Sequence, residues 1–349
     1  MSFTASREGQ GSRDKHELLR DYVHKSDLIV ILTHQNADPD AICAAYSINR
    51  LLKKLNKKAR VRIVSPEGVS EQAQSIISKL KAEVNDDIGP DPPDLLLMVD
   101  TSSTWTLGSL KDLVESMAMD TPLVLVDHHH PDEGILKYYP LAFIDEEATS
   151  TCEVVFKLFK DLGVVPSGRV PQILLTGVIF DSRHFTIADS DTFELAAQLC
   201  RLGASPSISA EMLHMPVGFS EKIARLKAAQ RCRIYRIKDW IVAVSNLSSH
   251  QASGARALIG LGADLAAVMG GKKGIFRVNL RATESFVEST GIHLGRDLAG
   301  DLGVVFDGSG GGHDSAAGVV TRRGSEEEIL SHLMGRISIL LGAPPREVV

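Results

Sequence analysis

With 349 residues, the chain can hold two domains with sizeable cores. Its 44% hydrophobic and 23% charged content is that of an ordinary globular protein, which excludes a disordered or collagen-like chain. A net charge of −6 argues against a broad, sequence-independent surface for duplex DNA, while a local site for a small anion stays open.

The first residues, MSFTASREGQGSRDK, are polar and lack an apolar h-region, so no secretory signal is read and a cytoplasmic location is expected. No apolar run approaches the roughly 20 residues of a membrane helix. From residue 28, continuous apolar runs alternate with helical patterns. The runs are LIVIL (28–32), VRIV (61–64), LLLMV (95–99), LVLV (123–126) and ILLTGVI (173–179). Runs of this length without alternation predict strands buried on both faces of a parallel sheet. AICAAYSINRLLKKLN, SEQAQSIISKLKA and STCEVVFKLFKDLG carry helical spacing, the last ending at Gly163 as a C-cap. Pro92 and Pro93 make GPDPPD a loop. Ser150, Thr151 and Glu153 read as a helix N-terminus.

Residues 203–230 read as helical turns and predict a connector. RIYRIKDWIVAVSNL then predicts two strands around Lys238–Asp239, and AAVMGGKKGIFRVNLRAT a second hairpin. GSGGGHDSAAG (308–318) comes next, and an amphipathic helix from about Ser325 to Leu341 closes the chain. The expectation is an α/β protein: an N-terminal doubly wound, mostly parallel sheet over 16–202, the connector 203–230, and a smaller C-terminal α/β domain over 231–343, with the active-site cleft between the two. The cysteines, Cys43, Cys152, Cys200 and Cys232, form no CxxC pair and read mainly as small buried thiols.

Chemistry collects where the predicted strands end. LIVIL is followed by His34, Asp38 and Asp40, LLLMV by Asp100, LVLV by Asp127, His128, His129 and His130, and ILLTGVIF by Asp181. Ligand sites of open parallel sheets lie beyond the carboxyl ends of the strands. One such Asp, Asp40 for instance, reads equally as a helix N-cap. Four ends that all deliver Asp or His do not reduce to capping. Carboxylates so crowded raise one another's pKa, and divalent cations relieve this. Mixed Asp/His ligation suits Mn²⁺, with Mg²⁺, Co²⁺ or Zn²⁺ as alternatives. At least five Asp with His34 and His128 suffice for two ions sharing one bridging Asp, a clamp for in-line displacement at phosphorus.

These residues resemble the DHH phosphoesterase superfamily. HQNADPD (34–40), VDTSS (99–103), VDHHHPD (126–132) and VIFDSRHF (178–185) are similar to its four motifs, and GSGGGHDSAAG to the signature of its DHHA1 subdomain. The resemblance runs from about residue 16 to 340 and takes in nanoRNases, pAp-phosphatases and RecJ-like proteins. It implies one metal on His34, Asp38 and Asp100, and a second on Asp40, Asp100, His128 and Asp181, usually manganese. It implies His129 as a catalytic or phosphate-contacting group and Asp127 as a residue orienting a ligand histidine. It implies substrate contacts from Gly310, Gly311, Gly312, His313 and Arg281, with His313 also beside the transferred group. The chain departs from the pattern at His130, an extra and solvent-facing histidine, and at Arg183 and His184, which read either as phosphate contacts or as chemically idle.

The expected function is a metal-dependent phosphodiesterase or phosphatase that takes short oligonucleotides, linear dinucleotides or pAp-type nucleotides to mononucleotides. The alternatives are a RecJ-like single-strand exonuclease, a cyclic-dinucleotide phosphodiesterase and a non-catalytic regulatory protein. A long-strand exonuclease would need a basic groove with stacking aromatics, and aromatics here are only 5%. A short nucleotide is the expected partner, with no membrane and no long duplex; the resemblance allows a homodimer.

Overall fold

A computed structural model describes residues 14–131, 141–272 and 275–348. The chain divides into two compact units, Met1–Met215 and Pro216–Val349. In the first unit, helix α1 (Lys15–Lys25) precedes strand β1 (Leu28–Leu32), α2 (Pro39–Leu55), β2 (Arg60–Val64), α3 (Glu71–Leu80) and β3 (Leu95–Val99). A 3-10 helix (Thr104–Leu110) runs into α4 (Lys111–Met117), followed by β4 (Leu123–Asp127), β5 (Leu141–Ile144), α5 (Thr151–Asp161), α6 (Val170–Asp181), α7 (Ser190–Arg201) and α8 (Pro206–Leu213).

The five strands form one parallel sheet in the order β2-β1-β3-β4-β5. β1, β3 and β4 are buried along their whole length, because both faces are covered. Ile29, Ile31, Leu97, Val99, Val124 and Val126 face a core built with α1, α2, α5 and α6. Val30, Leu32, Leu96, Met98 and Leu125 face Leu107, Leu110 and Val114 of the 3-10 helix and α4. The chain steps from β1 out to β2, then returns to place β3 on the other side of β1. Such a reversal opens a crevice beyond the strand ends, where ligands of α/β sheets sit.

The run ILLTGVI is not a strand. It lies in α6, whose residues Ile173 to Ile179 are all buried. A helix apolar on every side has no 3.6-residue signature, so its pattern equals that of a buried strand. The arbiters are length and Pro171 in the first turn, a position that suits a helix start. Conversely, LAFI forms the edge strand β5, which the apolar runs of the sequence do not mark. α5 ends as expected: Gly163 adopts φ 61°, while its N–H and that of Val164 close onto Lys160 and Phe159 carbonyls.

The second unit begins with α9 (Phe219–Gln230), β6 (Arg233–Ile237), β7 (Trp240–Asn246), α10 (Gln251–Gly260), β8 (Leu265–Lys272) and β9 (Ile275–Ala282). α11 (Glu284–Thr290), a π-helical segment (Leu294–Gly300), α12 (Asp301–Val305), β10 (Ser309–Gly312), β11 (Ala316–Thr321), α13 (Glu326–Leu341) and β12 (Arg346–Val348) complete it. Its sheet has the order β10-β11-β9-β8-β7-β6-β12, antiparallel except for β7 beside β8. Segment 203–230, read as one connector, is split between the units: α8 falls in the first and α9 in the second. α13 starts with a complete capping box between Ser325 and Glu328.

α6 approaches α2 and α5 at Gly177. A Cβ there would come within 2.3 Å of Cys152 Sγ and 2.6 Å of Asp40 Oδ1. Gly177→Ala should therefore cost about 2 kcal/mol through overpacking, read as a lowered urea midpoint with unchanged slope. An unshifted midpoint would show that this helix contact is looser than described.

Candidate metal centre

β1 ends at Leu32, and the chain then presents His34 and Asp38 before α2. Asp38, rather than Asp40, caps the helix: its Oδ1 accepts from Ala41 N–H at 3.1 Å. Asp40 lies two residues on, in the first turn, and is 1% exposed. Its carboxylate is met by the first amides of α5, Thr151 N–H at 2.7 Å and Cys152 N–H at 3.3 Å. The N-terminal amides of a helix are natural anion donors. Thr151 also donates its hydroxyl to Asp100 Oδ1 at 2.7 Å. One helix start thus grips two carboxylates. In sequence Thr151 reads only as a helix start, so this role is missed there; its signal is the run TSTCE.

Asp100 comes directly after β3 and adopts φ 57°, a left-handed conformation that Asp tolerates better than most residues. Its Oδ2 lies 3.7 Å from His34 Nε2, and its Oδ1 lies 3.8 Å from His128 Nε2. The two oxygens of one carboxylate therefore face two different imidazoles. His128 Nε2 also lies 3.2 Å from Asp181 Oδ2. Ligand atoms of His34, Asp38 and Asp100 fall within 4.8 Å of one another, as do those of Asp40, His128 and Asp181. Asp181 is the last residue of α6, so a helix C-terminus, which disfavours anions, holds a carboxylate.

Both imidazoles have a fixed tautomer. His34 Nδ1 sits 2.9 Å from Gln35 O, and His128 Nδ1 sits 3.1 Å from Ala148 O. A carbonyl only accepts, so each Nδ1 carries the hydrogen, and in the neutral ring each Nε2 turns a lone pair toward carboxylate oxygens. His128 Nε2 is buried without a hydrogen bond among the described residues. A lone pair facing a carboxylate is repulsive unless a cation lies between them. The donor set fits divalent metal on this ground, and on the mixed Asp/His chemistry itself.

The carboxylates carry the same message. Burial, and then the charges of Asp100 and Asp181, push Asp40 well above the usual carboxylate range. Burial, and then Asp38 and Asp127, push Asp100 up to about 6. Burial also raises Asp181, against the opposing pull of His128.

The remaining candidates fall around this cluster. Asp127 is fully buried, and its Oδ1 accepts from the backbone of His128 at 2.7 Å and of His129 at 3.0 Å. It also accepts from His129 Nδ1 at 2.9 Å, and this hydrogen bond raises His129 to about 9. Asp127 therefore orients the exposed His129, while the Ala148 carbonyl orients His128. His130 points to solvent and pairs with Glu146 at 3.0 Å. Arg183 and His184 are exposed in a run of three left-handed residues, with Phe185. Among the described residues, neither side chain makes a hydrogen bond or ion pair that would occupy it.

In the second unit, the glycine run is an edge strand rather than a loop: β10 pairs with β11. Two of its glycines serve packing. A Cβ on Gly310 would strike Ala299 O at 1.9 Å, and one on Gly312, at φ 137°, would meet Ala316 O at 2.5 Å. Gly311 alone of the three has open space beside it. His313 is exposed. Arg281 is half-buried, donates to Leu280 O at 2.8 Å and has no acidic partner among the described residues. Its guanidinium is lowered by burial and by Arg256.

A carboxyl edge that holds acids and imidazole lone pairs face to face is suited to divalent cations and to chemistry at phosphorus. The model of the DHH family, N-terminal domain, matches residues 28–178. Over 315 residues the chain is 31% identical to an uncharacterized protein of Methanocaldococcus jannaschii, covering 89% of this chain and 93% of that one. It is 27% identical over 212 residues to the cyclic-di-AMP phosphodiesterase PdeA of Listeria monocytogenes, covering 56% of this chain and 31% of that protein. It thus spans less than a third of that longer relative. A probable manganese-dependent inorganic pyrophosphatase of Clostridium acetobutylicum is 23% identical over 199 residues, or 51% of this chain and 61% of its own. The crystal structure of an exopolyphosphatase-related protein from Bacteroides fragilis shares the fold, with TM-score 0.58 at 17% identity over 94% of this chain and 95% of that one. The chain belongs to the DHH family of phosphoesterases. No described helix is long and apolar enough to cross a membrane.

The raised carboxyl of Asp100 has a pH consequence. In the metal-free fold it holds its proton up to about 6, whereas the unfolded chain releases it near 3.8. The folded state therefore binds more protons in this window. The contribution of Asp100 is present below pH 3.8 and is lost as the pH rises through about 6. Mn²⁺ should raise the melting temperature little at pH 5 and by several degrees at pH 7.5 in calorimetry. An equal gain at both pH values would contradict this reading. Thr151→Val should weaken Mn²⁺ binding about 10–100-fold by titration, since it frees Asp100 to turn.

Proposed function

We propose that the chain is a metal-dependent phosphodiesterase that hydrolyses short linear nucleotides, such as dinucleotides, to mononucleotides. The observation that carries this reading is Asp100, whose two oxygens face His34 and His128 at 3.7 and 3.8 Å. One carboxylate set between two imidazole-acid groups serves a pair of cations. His34, Asp38 and Asp100 would hold one, and Asp40, Asp100, His128 and Asp181 the other. Bound there, divalent cations polarise water and neutralise charge on a phosphoryl group.

The residues of the chain supply the rest. Asp127 keeps His129 protonated, so its exposed Nε2–H can donate to a phosphoryl oxygen whose charge grows in the transition state. Thr151 and the α5 amides keep Asp40 and Asp100 in place. In the second unit, Arg281 is assigned a substrate phosphate, with Gly311 and His313, because it is a half-buried cation without an acidic partner among the described residues. A small phosphate-bearing substrate suits the names of the relatives, which refer to cyclic-di-AMP and inorganic pyrophosphate. The first of these names favours a cyclic dinucleotide as the second reading.

A single assay separates these readings. With Mn²⁺, a linear dinucleotide should be cleaved at least about tenfold more efficiently in kcat/KM than a 20-mer, pAp or cyclic-di-AMP, and EDTA should abolish the activity. A tenfold preference for the 20-mer or for the cyclic compound would replace the proposal by the corresponding alternative. Asp100→Ala should reduce hydrolysis to background. Arg281→Ala should raise KM about tenfold, the worth of one charged hydrogen bond, with kcat kept.

A further inference from the structure

Trp105 is 71% exposed, and nothing in the metal chemistry uses it. A single exposed apolar side chain needs no explanation by itself. Trp105 differs in where it stands and in how firmly it is held. It is the second residue of the 3-10 helix, five residues after Asp100, on the carboxyl side of β3. Its backbone N–H is capped by Ser103 Oγ at 3.3 Å. The carbonyl of the next residue, Thr106, accepts from Gln35 N–H at 2.8 Å, and Gln35 is the residue after His34. Successive Cα atoms are about 3.8 Å apart, so Trp105 stands one residue from a backbone hydrogen bond to Gln35, the neighbour of the proposed ligand His34.

The segment is also packed closely against that loop. Gly108 adopts φ 52°, which disfavours any side chain, and a Cβ there would also displace the ends of the Gln35 and Glu67 side chains, each at 2.6 Å. The indole carries a cation on one face. Lys111 Nζ sits 4.5 Å from its centroid, and Glu115 and Asp112 fix that ammonium at 3.1 and 3.4 Å. A cation over one face orients the ring. Among the described residues, no aromatic ring stacks on the other face.

We infer that Trp105 is a stacking platform for a nucleobase of the substrate, at the rim of the metal cluster on the His34 side. The inference rests on the nucleotide reading above and adds a base contact to it. A nucleobase is favoured over a peptide or a bare phosphate chain because the offered surface is flat, aromatic and uncharged, and it lies next to phosphate chemistry. Such stacking tolerates any base, so it confers little base preference. A second copy of the chain covering the indole is the competing occupant.

The test compares the wild type with Trp105→Ala and Trp105→Phe on a linear dinucleotide and on its abasic counterpart, with Mn²⁺. Trp105→Ala should raise KM for the dinucleotide about tenfold at unchanged kcat, Trp105→Phe should raise it less, and neither should alter the abasic substrate. In a Trp240→Phe background, where Trp105 is the sole tryptophan, the dinucleotide should quench its emission and the abasic compound should not. Equal effects on both substrates, or an unchanged KM together with a change in oligomeric state on sedimentation, would overturn the stacking role. A wild-type protein inactive on the dinucleotide would overturn the nucleotide reading itself, and the base contact with it.

Discussion

The repulsion among carboxylates at one sheet edge is the constraint on which the rest of the structure depends. Asp40 and Asp100 are 1% and 5% exposed, and water cannot screen them. They are tolerable because α5 turns two amides and a hydroxyl toward them, and because cations would complete the balance. This explains features that look unrelated. α5 begins at Thr151 so that its amides reach Asp40. α6 carries Gly177 so that it can lie against Asp40 and Cys152. His34 and His128 each give Nδ1–H to a carbonyl, which leaves Nε2 free to ligate. Stability is locally surrendered at this edge for function, as expected of a site that gathers like charges.

The fold contributes placement rather than chemistry. The reversal in strand order between β1 and β3 brings the His34–Asp40 segment beside Asp100. β4 adds the three successive histidines from the next position. These do different work. His128 turns inward with a lone pair, His129 is held protonated by Asp127, and His130 pairs with Glu146 at the surface. Adjacent residues at a strand end point in different directions, so three histidines in a row need not share a role.

Much of the site was legible because buried parallel strands are plain in sequence, and the residues just beyond each strand must lie at the same edge. LIVIL, LLLMV and LVLV marked both the sheet and the place of His34, Asp100 and His128. Asp181 lies at the edge as expected, but for a different reason. Its carrier is a fully buried helix, whose apolar run has no period to betray it. The role of Thr151 was hidden because its partners, Asp40 and Asp100, lie far away along the chain and leave no local trace. Asp40 looked like a cap, yet Asp38 is the one with its oxygen on a helix amide. The glycines of β10 show the opposite hazard. A motif that suggests phosphate binding can owe two of its three glycines to backbone packing, and only Gly311 stays open.

The most direct measurement is the number of Mn²⁺ ions bound per chain, by calorimetric titration with elemental analysis, for the wild type and Asp100→Ala. Paired ligand sets that share one carboxylate require two ions in the wild type, both weakened by the single substitution. One ion or none, or a stoichiometry that Asp100→Ala leaves untouched, would contradict a paired-cation centre at this edge.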